Sequence, residues 1–545
     1  MPKIVLFLLV ALFQNLLFAK DYYVHPLRGN DNNLGNSKEQ AFQTLERASK
    51  EHFSSGDRLF LAHGQEYKGT LLLVNKHGSP MAPIVITSIP WNTLDENTPA
   101  IINFKSKPNG IYIKGSSYIS LSNISITGNG FDSTSETTHT MRCGVLIVNS
   151  DENKTQDITL SRLNIFDIFY ENEGFKRGKD EVKTANGTQH YGWGIRVIST
   201  TPNTPIENIN INSCQVENVS HTGIKLTGMN QNISALKIYN NLIKLTGGPG
   251  IQMSEVKDVH VHDNIVTNSG SNDDSRKWGR GSGLWTWGSS RILIEKNRFL
   301  YANGPGDSAG AHIDFNCDNI VLQYNISAYN AGGFCEILGN NYNCAYRYNL
   351  SINDGYRIKG VHGAFQEGKT LWLSGYQGNN KKRKGPVNSY IYNNTIVTDA
   401  TIVSKMALDN TSSGILIANN IFYLQGKTKM VLGDQYKPET KNGDLDKNIF
   451  FQNNLFLRKD NWPKETGIED ANPIFGDPGF EHNGSLNIEA YIPKNIDLVK
   501  GKGIDIPLLP KDETGILPSL NPGKDILGNP IGNKPSLGAI EVESQ

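Results

Sequence analysis

The chain runs to 545 residues, 37% hydrophobic and 19% charged, with 53 Lys+Arg balanced by 53 Asp+Glu. This composition excludes a disordered tail, a collagen-like fibre and a polytopic membrane protein. Zero formal net charge leaves no sustained field of one sign to draw the chain to nucleic acid or acidic membranes, and the 54 Gly with frequent Asn favour tight turns over long helices.

At the N-terminus, Met1-Pro2-Lys3 leads into an apolar stretch from Ile4 to Leu17, then Phe18-Ala19-Lys20-Asp21. A basic start, a short apolar core and a small residue before a polar segment describe a secretory signal peptide over residues 1–19. The stretch is too short and too early for a membrane span. The expectation is a secreted or periplasmic protein, free of the membrane once the signal is removed, with one domain over 20–545. Five Cys (Cys143, Cys214, Cys317, Cys335, Cys344) form no CxxC pair. Neither a disulfide framework nor a zinc site is expected, and the thiols read as small core fillers.

Between about Ile111 and Leu455 a short pattern recurs: β-branched or aromatic residues alternate with polar ones, then come an Asn and another apolar pair. Examples are Val259 to Val266 around Asn264, Ile292 to Phe299 around Asn297, and Ile320 to Ile326 around Asn325. The pattern continues at Asn349, Asn393-Asn394, Asn419-Asn420 and Asn453-Asn454, and Cys214 takes the slot in an earlier copy. The spacing, roughly 23 to 45 residues, is that of one solenoid coil with variable loops. Period-two alternation says strand, and an Asn at each bend suits both a left-handed turn and an amide ladder from coil to coil.

A second set of strands, each opening with Gly, precedes these runs: Gly110-Ile111-Tyr112-Ile113, Gly144 to Ile147, Gly194 to Val197, Gly223 to Leu226, Gly250 to Met253, Gly283 to Trp287, Gly310 to Phe315 and Gly333 to Ile337. One Gly-led and one Asn-ended strand per coil make an all-β, single-stranded right-handed parallel β-helix with an N-terminal cap. No heptad pattern supports an α-solenoid.

The segment Asp21-Tyr22-Tyr23-Val24, Ala41 to Leu45, Gly56 to Leu61 and Tyr67-Lys68-Gly69 resembles the opening of secreted β-helix carbohydrate-active enzymes. There a strand, a short capping helix and a second strand close the first coil. The ending, Asp525 to Pro530 and Leu537 to Glu541, is similar to the last coil of the same group. The resemblance covers nearly the whole mature chain and implies the superfamily of polysaccharide lyases and β-helix glycoside hydrolases.

Strands of a solenoid stack about 4.8 Å apart, so the outward residues of the Gly-led strands form columns on one face. Taking apolar residues as inward, the outward ones are Arg196, Lys225, Gln252, Trp285 with Trp287, His312 with Asp314, and Phe334 with Glu336. Two Trp, a His and two carboxylates on neighbouring coils are unlike ordinary solvent cover. Asp314 and Glu336, read as adjacent, are the expected acid and base of a glycoside hydrolysis, with pKa values pushed apart by proximity. His312 and Asp307 are expected to assist, and Trp285 and Trp287 to hold sugar rings. The loop Asn272 to Arg280 reads as a wall of the cleft. Downstream, Arg357-Ile358-Lys359 and His362 resemble short motifs of polygalacturonase-type hydrolases, although the order departs and the Asn-x-Asp element of that family is missing.

The function expected is a secreted glycoside hydrolase acting as a monomer on a polysaccharide or oligosaccharide, with no cofactor or metal. The alternative is a polysaccharide lyase, in which Arg196, Lys225, Arg357 and Lys359 serve as base or substrate cations and calcium neutralises a uronate. A non-catalytic glycan-binding solenoid is the third reading.

Overall fold

The computed structural model describes residues 19–92, 98–105, 107–131, 141–431, 448–462 and 469–542; residues 1–18 of the expected signal peptide lie outside them. The two strands of each coil build two parallel sheets, of twelve and twenty-six strands among the described residues. The chain is a parallel β-helix, right-handed as crossover connections between parallel strands are. Among the described residues no helix is long and apolar enough to cross a membrane.

The Gly-led strands form the twelve-stranded sheet, in which Ile224 pairs with Ile251, Ile251 with Leu284 and Leu284 with Ala311. These side chains and their partners two residues on point inward and are buried in one continuous core. The reason for the leading glycine is close approach. A Cβ at Gly223 would lie 2.8 Å from the Gly250 carbonyl oxygen, and one at Gly250 would lie 2.7 Å from that of Gly283, so any side chain there forces the coils apart.

The Asn-ended strands form the larger sheet, and their amides make the expected ladder. Asn241 Nδ2 donates to Asn264 Oδ1 at 2.9 Å, Asn264 to Asn297 at 2.9 Å, Asn297 to Asn325 at 3.0 Å and Asn325 to Asn349 at 3.0 Å. The ladder continues through Asn394, Asn420 and Asn454 and ends on the Asp470 carboxylate. At its other end the Cys214 backbone N–H donates to Asn241 Oδ1. The left-handed residue, however, is the one before each rung: Asp263, Lys296, Tyr324, Tyr348 and Asn393 have φ between 51° and 57°. The rung itself is placed by that turn.

At the N-terminal end strand Asp21–Val24 pairs with Arg58–Ala62. Between them helix Leu45–Ser49, capped by the Thr44 hydroxyl, buries Leu45 and Ala48 over the first coil. The C-terminal expectation needs correction. The last strand pairing joins Leu455–Phe456 to Ile474–Phe475, and 476–542 adds no further coil. It folds back along the outside of the larger sheet: Gly538 N donates to Asn419 O, and Asn393 Nδ2 donates to the Ser536 carbonyl. The similarity of Asp525 to Glu541 to a closing coil therefore marks a docking segment. All five thiols are free and buried; four lie in the core and Cys143 lies in an apolar cluster outside it.

Candidate active site

The outward column of the twelve-stranded sheet is continuous. Arg196 stands beside Lys225, Lys225 beside Gln252, Gln252 beside Trp285, and Trp285 beside His312. Across the next step Ile313 pairs with Ile337, and Glu336 in turn pairs with Trp372. Glu336 therefore stands beside His312, whereas Asp314 stands beside Leu338, and the expected adjacency of Asp314 and Glu336 is replaced by a diagonal. The cause is register: with Gly333 on Ala309 and Ile337 on Ile313, Glu336 falls two residues earlier on the neighbouring strand than a pairing with Asp314 requires. Phe334, expected outward, packs in the core against Tyr346.

Asp307 lies on the loop before strand Ala311–Ile313. Arg280 grips it with two hydrogen bonds, Nε to Oδ2 at 2.8 Å and Nη2 to Oδ1 at 3.0 Å. Burial alone would raise the Asp307 carboxyl, but the Arg280 guanidinium outweighs it and holds the group below the usual range. The backbone is strained here: Asp307 and Ser308 both have positive φ, 48° and 66°. The strain is sustained by the Gln366 side chain, which accepts from Asp307 N, and by Ser308 Oγ, which accepts from Gly304 N. Arg357 braces the same loop, since its Nε donates to Gln366 O and its Nη1 to Gly304 O.

Asp314 behaves oppositely. Burial pushes its carboxyl up to about 7, and ionised Asp307 adds to the rise against the pull of the Phe315 N–H bonded to Oδ1. Burial, then Asp307, also hold Glu336 well above the carboxylate range, with Lys369 opposing. Three carboxyls thus share one face with opposed shifts: Asp307 is held toward its charged form, and Asp314 and Glu336 are pushed toward their protonated forms. Burial takes His312 down to about 4, so it is a neutral imidazole, with Nδ1 3.0 Å from Ser282 Oγ.

Trp285 stacks on His312 with 6.0 Å between centroids and 5° between planes. Trp287 meets Phe315 edge-on, and Phe315 meets Tyr376 the same way. Both Trp are half-buried on the outward face, where flat rings suit pyranose faces. On the far side of Glu336, Lys369 Nζ lies 3.9 Å over the Trp372 ring.

Of the residues singled out in the sequence, Asp307, His312, Asp314, Glu336, Trp285 and Trp287 come together. Arg196 and Lys225 are buried further along the same column. Arg357 supports the Asp307 loop, while Lys359 and His362 stand exposed; the cations acting on the three carboxyls are Arg280, Lys369 and Arg357. The wall loop is locked rather than solvated, with Arg276, Lys277, Trp278 and Arg280 all buried. Sequence reasoning missed Arg280, Lys369 and Trp372. Arg280 sat inside that loop, and Gly368-Lys369-Thr370-Leu371-Trp372 carries the Gly-led signature after a long insertion. Among the described residues no group of three or more His, Cys, Asp or Glu is placed to hold a metal ion.

The family model described as "right handed beta helix region" matches residues 193–381. The chain is similar to a lacto-N-biosidase of Bifidobacterium longum subsp. longum, 24% identical over 634 residues covering 96% of this chain and 36% of that one. This chain therefore spans about a third of the length of the curated relative it matches. Among solved structures, a GH136 lacto-N-biosidase from Eubacterium ramulus superposes with a TM-score of 0.52 at 17% identity, over 76% of this chain and 67% of that one. That likeness is one of fold.

Proposed function

We propose that the chain is a glycoside hydrolase acting on an oligosaccharide, with Asp307 and Asp314 as its catalytic pair. What carries this reading is the two-point grip of Arg280 on Asp307 on a Trp-flanked face that also holds buried Asp314: Arg280 favours the charged form of Asp307, while burial favours the protonated form of Asp314. Glycosidic cleavage needs both states at once, an acid for the leaving oxygen and a carboxylate for the cation-like centre or its attacking water. In the resting enzyme Asp314 is the proton donor and Asp307 the stabilising or attacking carboxylate. Glu336, also protonated, takes the third place, beside neutral His312, and the two supply hydrogen bonds to sugar hydroxyls. This reading takes Asp307 in place of Glu336 as the partner of Asp314, because Arg280 favours the charged form of Asp307 whereas burial disfavours that of Glu336.

The substrate class follows the relatives named above, so the first glycans to test are those cleaved by lacto-N-biosidases. The segment 1–19 supports action outside the cytoplasm, and the reading assigns no cofactor and treats the chain as a monomer. The experiment is a panel of oligosaccharides and polysaccharides scored for new reducing ends and for the ultraviolet absorbance of an unsaturated uronate. Reducing ends without that absorbance are expected. Its appearance would replace hydrolysis with β-elimination, and no product from any member would leave a binding solenoid.

A further inference from the structure

Other buried cations near the groove are met by acids or by carbonyls: Arg280 by Asp307, Arg276 by Asp274, Lys277 by Asp273 and Lys405 by Glu367, with Arg357 on the Gln366 and Gly304 carbonyls and Lys369 on that of Glu367. Arg196 and Lys225 break that pattern. They stand side by side in register, each only 6% exposed. Among the described residues the Lys225 side chain has no hydrogen bond or ion pair, only the Trp193 ring 6.0 Å from Nζ. The side chain of Arg196 donates one hydrogen bond, from Nη1 to Met141 Sδ, its Nε is buried without a partner, and its guanidinium lies 4.9 Å from the same ring. Among the described residues no carboxylate acts on either group; the acid that does is the Cys143 thiol, which burial pushes up to about 12 and so keeps neutral.

Two adjacent buried cations without a counter-charge are costly, because each loses hydration and each repels the other. Burial and then Arg196 pull Lys225 down to about 7, the direction such a cost takes. Among the described residues no counter-charge compensates them, although an aromatic wall, Trp193, is in place beneath both cations. The missing charge is that of a ligand. Its position gives the ligand's class: the column runs on through Gln252 and Trp285 to His312, so Lys225 lies three coils, about 14 Å, from the carboxyl cluster. Since a chain of sugars laid along the column reaches both places, the anion belongs to the same molecule.

We propose that Arg196 and Lys225 form an anion subsite that receives a carboxylate or sulfate substituent of the glycan, several sugar units from the bond being cleaved. The assignment rests on the glycan-binding role proposed for this column and narrows its substrate class to acidic glycans. Arg supplies a planar fork and Lys a point charge, a combination suited to either oxyanion.

The test is binding of glucuronate and of glucose 6-sulfate, in separate arms, against neutral glucose, measured on the full chain by ligand-observed NMR titration at low and high salt. At least one acidic probe is expected to bind tenfold or more tightly than glucose at low salt, and the arm that does so tells carboxylate from sulfate. The preference is expected to shrink with salt and to vanish in Lys225→Met and Arg196→Met. Lys225→Met is further expected to melt at or above the parent temperature, because it removes an unpaired buried charge. Equal affinity for all three probes overturns the subsite, as does a preference that survives both substitutions. A large fall in melting temperature in both Lys225→Met and Lys225→Gln would make the cations structural and would overturn it too. Binding is read without turnover: acidic preference with no cleavage of any glycan sinks the hydrolase alone, and cleavage with no acidic preference sinks the subsite alone.

Discussion

Two columns run along the solenoid, one on each sheet, built from the same repeat. On the larger sheet, Asn241 to Asn454 place one residue type in every coil, and each rung satisfies the one before it. On the smaller sheet, Arg196, Lys225, Gln252, Trp285, His312 and Glu336 place a different residue type in every coil, and charges are left raised, lowered or unpaired. Identical backbone steps thus serve opposite ends. Where neighbours complete one another the column contributes stability; where they do not, the unmet hydrogen bonds and charges are reserved for a ligand.

Substitutions should separate the two columns cleanly. Asp307→Asn and Asp314→Asn are each expected to lower kcat by about 10²–10⁴-fold; Asp314→Asn should leave the melting temperature nearly unchanged, whereas Asp307→Asn should lower it, because it takes the counter-charge from buried Arg280. Glu336→Gln should cost less than either, so equal losses in all three would return Glu336 to the catalytic pair. Because the acid must hold its proton, wild-type kcat should fall as pH rises through about 7, the value to which Asp314 is raised, and a rate rising through that range would reverse the roles.

The converse holds on the other sheet. Asn325→Ala strands the Asn297 N–H and Nδ2 and removes a donor from the Ile294 carbonyl. Two buried orphans predict a loss of about 2–4 kcal/mol in urea denaturation, with kcat unaffected below the unfolding transition. A smaller change tests the grip on Asp307. Arg280→Lys trades a two-point fork for one contact, and the acidic limb of kcat/KM should move to higher pH with a loss of about tenfold.

The smallest effect concerns Asp354, which occupies an amide slot, accepting from the Asn330 backbone and side chain and from Ser351. Burial raises it to about 7 from an unfolded value of 3.8. The benefit of its proton is full below the unfolded value and is lost as pH rises through about 7. Asp354→Asn should therefore raise the melting temperature by about 2 °C at pH 8 and leave it unchanged at pH 4; a rise at pH 4 alone would contradict that sign.

The architecture was legible because it is written twice per coil, in the glycine that touches the next carbonyl and in the rung that bonds the next amide. The site was legible as residue types on one face, since Trp285, His312 and Asp314 keep the parity of their strand. What escaped was register. The observed pairing seats Glu336 beside His312, two residues from Asp314, and because a slip of two residues keeps every side chain on the same face, alternation in the sequence does not reveal it. Arg280 escaped for a related reason: its partner Asp307 is 27 residues away on another loop, and charge pairing between loops leaves no period.

The returning C-terminal segment changes how the molecule comes apart. A solenoid whose coils touch only their neighbours can fray from an end, losing one coil at a time. Here residues 476–542 bind coils far removed in the chain, from Arg298, which donates to Leu486 O, through Tyr324, bonded to Lys524 O, to Asn453, bonded to Lys502 O. Loss of the terminal coil would release a segment that also holds coils more than a hundred residues upstream, so that half of the solenoid should melt as one cooperative unit rather than unzip. Truncation after Phe475 would then convert a single sharp transition into a broad, stepwise one.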